Sequence, residues 1–276
     1  MRFGVARLVS RDAYLPRVTA LVGVGHWFSW DAGCLIMARA TDVVPMHSHY
    51  AIQVAFGAKS GIRFRTADRD EWTDYPGVVI SSRQPHSMDA TVVGFNAVLF
   101  VEPETRQGRA LAERFRQDGI NRLPEETFAE ISPPLFTAWR DERSIEAVKA
   151  AAERVVRILT GGVEPAIVSD ERILRATSYI NSRLDSPLGL EEVADVACLS
   201  PGRFRHLFVE QTGTPMRPYI LWRRFLRAFE LVAGGEPVSN AAYAAGFADA
   251  AHLTRTCRRM FGFPPSAIEG APPLTK

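Results

Sequence analysis

A chain of 276 residues has room for about two domains. With 46% hydrophobic and 23% charged residues, and only 20 Gly and 18 Pro, the composition excludes a disordered, collagenous or low-complexity protein. A net charge of +2 excludes a uniformly polybasic chain, so any affinity for nucleic acid has to come from where the charges lie. No apolar run approaches the ~18 residues of a membrane span, and the first residues lack a secretory core, so a cytoplasmic protein with no membrane partner is expected. Cys34, Cys198 and Cys257 are far apart and form no CxxC pair, which predicts reduced thiols.

From the N-terminus to about residue 100, short apolar or alternating runs predict strands at 35–38, 51–56, 62–65, 78–80 and 92–100. Gly57, Gly61, Asp68, Asp70, Pro76, Gly77 and Pro85 punctuate them, which predicts an antiparallel barrel or sandwich. Helical spacing follows at 105–117, 125–131 and 144–160. In the last, Ile145, Val148, Ala152, Val155, Val156 and Leu159 form one stripe. Spacing alone leaves open whether that stripe faces a second copy, as in a homodimer, or its own domain. Gly161-Gly162-Val163-Glu164-Pro165 breaks the pattern and reads as a linker. Two domains, 1–163 and 168–276, are expected on either side. After the linker nearly everything is helical: 170–184, 190–198, 201–211, 215–233, 238–245 and 250–261.

This second region resembles itself at a shift of 49 residues. Ser200 falls on Asp249, Phe204 on Leu253, Gly213 on Gly262 and Pro215 on Pro264. Each unit reads as a short helix, a tight turn and a second helix opened by a side-chain cap from Ser200 or Asp249. In unit one, Phe204, Leu207 and Phe208 form the apolar face, while Arg203, Arg205, His206 and Glu210 lie off it. In unit two, Leu253, Cys257, Met260 and Phe261 are expected inward, with Ala250, Ala251, Thr254, Arg255 and Arg258 outward. Between Ser200 and Phe263 nine Arg face four acids, a local excess suited to phosphate. A helix buried on one face and studded with Arg, His and Thr on the other can enter a major groove.

The stretch 190–268 closely resembles the DNA-binding region of the AraC/XylS regulators. The carrying features are LEEVADVACLSPGRFRHLF, AAGF at 244–247, HLTRT at 252–256, and a Gly-x-Pro after each unit. The resemblance implies an all-α domain of two helix-turn-helix units joined by a long helix near 216–233. It also implies double-stranded promoter DNA and RNA polymerase as partners. By position, Gly202, Arg203, Arg205 and His206 of unit one, and Ala250, Ala251, Thr254 and Arg255 of unit two, with Arg258 beside them, are the candidate DNA contacts. Unit one is expected to contribute more polar base readout and unit two more anchoring.

In the first domain, Pro45-Met46-His47-Ser48-His49 precedes a predicted strand that carries Gln53, and His86 follows another. A His-x-His on one strand puts both imidazoles on one face, and a third His from a neighbouring strand can complete a triad. The arrangement resembles the cupin-like β-barrel that serves many AraC-type regulators as a sensor domain, here with flanking helices. The whole chain is thus expected to be a two-domain α+β protein. Metal-binding cupins usually place a Glu where this chain has Gln53, a much poorer ligand for a divalent ion. His47, His49, Gln53 and His86 are therefore expected to contact an unidentified small-molecule effector, with no metal or other cofactor and no catalytic role. Trp27, Trp30, Phe56, Phe64, Phe95 and Phe100 are candidates to line the pocket. Two rival readings are a metal-dependent cupin enzyme fused to DNA-binding units, and a protein-interaction module whose Arg faces meet no phosphate.

Overall fold

The computed structural model describes residues 23–30, 33–40, 42–68, 70–115, 119–233, 235–261 and 264–265. The strands are β1 (Gly23–Trp30), β2 (Gly33–Ala40), β3 (Val44–His47), β4 (Ile52–Gly57), β5 (Ile62–Arg65), β6 (Thr73–Tyr75), β7 (Gly77–Ile80), β8 (His86–Asp89), β9 (Phe95–Val101) and β10 (Ile120–Arg122). They form two antiparallel sheets, ordered β1-β2-β9-β4-β7-β10 and β3-β8-β5-β6. Hydrogen bonding does not join the two sheets among the described residues, so the expected barrel is an open sandwich there.

Alternation along the central strands decides what lies between the sheets. Cys34, Ile36 and Ala38 of β2, Ala55 of β4, Val78 and Ile80 of β7, and Val98 and Phe100 of β9 pack with Val44, Ile62, Phe64 and Met88 of the smaller sheet. The intervening residues Leu35, Met37, Val54, Phe56, Val79 and Leu99 face the other way, onto helices. Both faces of the large sheet are buried, which is why its strands read as nearly continuous apolar runs. The 92–100 prediction covers a 3-10 turn (Thr91–Val93) followed by β9.

Three helices cover the outer face: α1 (Arg106–Arg114), α2 (Glu125–Thr137) and α3 (Ile145–Thr160). Thr105 and Ser144 cap α1 and α3, their hydroxyls accepting from the amides of Gly108 at 2.9 Å and Ala147 at 3.2 Å. The α3 stripe is buried within the chain, against this sheet and its neighbouring helices. α2 runs on through Pro133 and Pro134, past the predicted end at residue 131. Burial of Leu135 and Phe136 outweighs the helix-breaking tendency of proline. A π-helical turn (Ala138–Glu142) follows, where the Trp139 indole donates to Nδ1 of His26 at 2.8 Å.

The remaining helices are α4 (Glu171–Ser182), α5 (Leu190–Val196), α6 (Pro201–Thr212), α7 (Met216–Ala233), α8 (Val238–Ala244) and α9 (Ala250–Phe261). The first half of α7 completes one core, with Met216 and Ile220 packed beside Phe204, Phe208, Val193 and Ile173. Its second half completes another, with Trp222, Phe225 and Phe229 packed beside Phe247, Leu253 and Cys257. At ~1.5 Å per residue this helix is a rod of roughly 27 Å shared by both units.

Among the described residues, the β-rich part meets the helical part through a ring contact and through two arginines. The Trp27 and Phe229 rings lie 5.5 Å apart. The Arg106 and Arg109 side chains donate to the carbonyls of Glu210 at 3.2 Å and Gly213 at 3.0 Å, at the C-terminal end of α6.

Candidate nucleic-acid interface and histidine cluster

The two helical units are built by the same local device. After α5, Cys198 adopts a left-handed conformation (φ 54°), and the Leu199 amide donates back to the Ala194 carbonyl at 3.0 Å. After α8, Gly246 does the same (φ 78°), with the Phe247 amide donating to the Ala242 carbonyl at 2.9 Å. These positions correspond at a shift of 48, whereas α6 and α9 correspond at 49. The turn of unit two is therefore one residue longer. Ser200 Oγ accepts from the Arg203 amide at 3.4 Å, and Asp249 Oδ1 accepts from the His252 amide at 2.5 Å. Both predicted caps are thus hydrogen-bonded.

Phe204, Leu207 and Phe208 are buried, while Gly202, Arg203, Arg205 and His206 are exposed along the first turns of α6. On α9, Leu253, Thr256 and Cys257 are buried. Ala251, Arg255 and Arg258 are exposed, and Ala250 and Thr254 are half-buried. The Met260 and Phe261 side chains and Gly262 lie outside what is described. Arg203, Arg205, Arg255 and Arg258 carry no salt bridge to another described residue.

Not every arginine of the local excess is available. Arg224 donates to the carbonyls of Leu184 at 2.8 Å and Ser186 at 2.6 Å, fastening the turn after α4 onto α7. Its role could not be read from sequence, because the two carbonyls lie about forty residues upstream. Arg227 lies 3.8 Å from Glu230. The freer positive charge is concentrated on α6 and α9.

In the sandwich, His47, His49 and His86 come together, and one ring nitrogen from each lies within 4.8 Å of the others. The reason differs from a His-x-His pair on one strand: β3 ends at His47, and His49 lies beyond it. His86 does not end the strand that holds residues 78–80 but opens β8, directly opposite His47. Each Nδ1 is held by a main-chain carbonyl: His47 on Pro45 at 2.9 Å, His49 on Ala51 at 2.7 Å and His86 on Gln84 at 2.9 Å. Gln53 Oε1, from the facing sheet, lies 2.8 Å from His49 Nε2. Burial holds all three imidazoles below the ordinary histidine range, His49 at about 4 and His86 at about 2. Of the predicted pocket aromatics, Trp27, Phe64 and Phe100 belong to this interior. Trp30, Phe56 and Phe95 pack on the opposite, helix-covered side, because strand alternation turns them away.

A family of helix-turn-helix domains matches residues 193–270. The chain is 30% identical over 93 residues to the probable transcriptional regulator LumQ of Photobacterium leiognathi, covering 33% of this chain and 38% of that one. It is 27% identical over 164 residues to the arabinose operon regulatory protein of Salmonella typhimurium, covering 55% and 57%. It is 33% identical over 88 residues to the multiple antibiotic resistance protein MarA of Escherichia coli, covering 32% of this chain and 69% of MarA. The chain thus spans well under two thirds of the first two relatives and just over two thirds of the third. With two capped helix-turn-helix units on one shared helix, and with a relative matched at this identity over most of its length, the chain belongs to the AraC/XylS family of transcription regulators.

Proposed function

We propose that this protein is a sequence-specific, DNA-binding transcription regulator whose N-terminal part, a cupin-like sensor, responds to a small-molecule effector. The observation that carries the reading is the pair of exposed, Arg-bearing helices α6 and α9, each capped, each backed by a buried core and joined by one rigid helix. Gly202, Arg203, Arg205 and His206 are the readers of unit one, and Ala250, Ala251, Thr254 and Arg255, with Arg258 on the backbone, those of unit two. The functional division follows the linker, with 1–163 sensing and 168–276 binding promoter DNA and, through it, engaging RNA polymerase. No helix among the described residues is long and apolar enough to cross a membrane, which is in keeping with work on chromosomal DNA. The names of the relatives support a regulatory rather than a catalytic use of the sandwich.

Selection of genomic fragments by the purified chain tests this reading. The expected outcome is a motif of two unlike blocks about one helical turn, ~10 base pairs, apart. Affinity for it should fall steeply with salt as Arg–phosphate contacts release counterions. Arg205→Ala or Arg255→Ala should weaken binding by about 1–3 kcal/mol. No duplex binding at low salt overturns the proposal, and unchanged affinity and specificity in both variants removes these two residues as readers.

A further inference from the structure

From the convergence of His47, His49 and His86 beside Gln53, we infer that these four side chains form a site for one divalent transition-metal ion, with a coordination position left open to an anionic ligand.

The argument starts from the tautomers. A carbonyl oxygen only accepts, so each Nδ1 held on Pro45, Ala51 or Gln84 is the protonated nitrogen of its ring. In neutral imidazoles the lone pairs then sit on the three Nε2 atoms. An imidazole anchored through Nδ1–H to a main-chain carbonyl is in the orientation and tautomer that a metal ligand needs. The rings surround a common centre, their centroids 4.3, 5.2 and 5.7 Å apart. Ligands about 2.1 Å from one ion lie roughly 3.0–3.4 Å from each other, so a ring tilt of about an ångström closes the triangle.

Two further observations point to a cation at this centre. His86 is fully buried, and its Nε2 has no hydrogen-bond partner, a cost that native interiors seldom leave uncompensated. The Gln53 oxygen faces the His49 Nε2 lone pair at 2.8 Å, which sets two acceptors against one another. Either the amide turns over to donate, or a cation lies against both atoms. The 2.8 Å separation is close to that of two ligands on one ion.

The donor set selects the ion. Three imidazoles and an amide oxygen suit iron(II), cobalt, nickel, copper or zinc, and suit magnesium or calcium poorly. Among the described residues no carboxylate joins the three histidines, so none offsets the 2+ charge of a bound ion. A buried dication held by neutral ligands draws in an anion to complete its shell. His47 is only partly buried, which leaves a route from solvent.

The test uses the full chain, stripped with chelator and titrated with Co2+. The expected result is one saturable equivalent with visible ligand-field bands, displaced by Zn2+ and untouched by millimolar Mg2+. Added azide should shift the bands. His47→Gln and His86→Gln, checked by circular dichroism for retained fold, should weaken Co2+ binding by about 100-fold or more, and Gln53→Glu should tighten it. No saturable Co2+ signal from the unmodified chain, or an unchanged signal in both histidine variants, overturns the site. Bands indifferent to azide overturn the open position.

Discussion

Cys198 and Gly246 perform the same backbone turn in the two units, and only one of them has the residue suited to it. A left-handed conformation costs a side-chain-bearing residue about 1–2 kcal/mol, and Cys198 is exposed, so its side chain offers little packing in return. Cys198→Gly should therefore raise stability by up to about 1 kcal/mol, the rest being lost to greater freedom of the unfolded chain. Gly246 has no such latitude. A β-carbon there would stand 1.9 Å from the Leu184 carbonyl oxygen and 2.8 Å from Arg224 Nε. Gly246→Ala should cost more than ~2 kcal/mol, because neither the main chain nor the anchored guanidinium can give way. Urea midpoints of the two variants measure both; a destabilising Cys198→Gly would show that its side chain matters in some other way.

Among the elements, α1 holds the end of α6. The last carbonyls of a helix carry partial negative charge, and the guanidinium groups of Arg106 and Arg109 meet them there. The Arg106→Ala/Arg109→Ala double variant should keep its helical circular dichroism but expose the segment between α3 and α4 to proteolysis several-fold faster. An unchanged cleavage rate would show that these bonds do not hold the two parts together. This contact was invisible in the sequence, since it joins residues about a hundred positions apart. What was legible is what periodicity records: α3, α6 and α9, the strand at 62–65, and the inward and outward faces of the paired helices. The short polar strands β6, β8 and β10 went unread because ladder pairing, not composition, makes Thr73-Asp74-Tyr75 or Ile120-Asn121-Arg122 extended. Likewise the spacing of His47, His49 and His86 was legible, but two of the three carbonyls that orient them, those of Ala51 and Gln84, belong to loops whose paths only the folded chain defines.

For the whole molecule, Glu102 is an uncompensated element of the fold. Burial pushes its carboxyl up to about 8, against 4.5 in an open chain. The folded state therefore keeps the proton that the unfolded chain releases, and stability falls as pH rises from about 4.5 to about 8, then levels off. Glu102→Gln should remove the decline between pH 6.5 and 8 and be the more stable protein at pH 8; parallel stability curves for the two proteins would assign the decline to other groups. The longer turn of unit two has a consequence of another kind. Two reading heads in tandem on one chain, with different turns and different side chains, cannot be exchanged by a rotation. A DNA site engaged by both would be asymmetric, and the bound protein would have a front and a back. A single copy could then tell upstream from downstream, a distinction that a twofold-symmetric dimer on a palindrome cannot make.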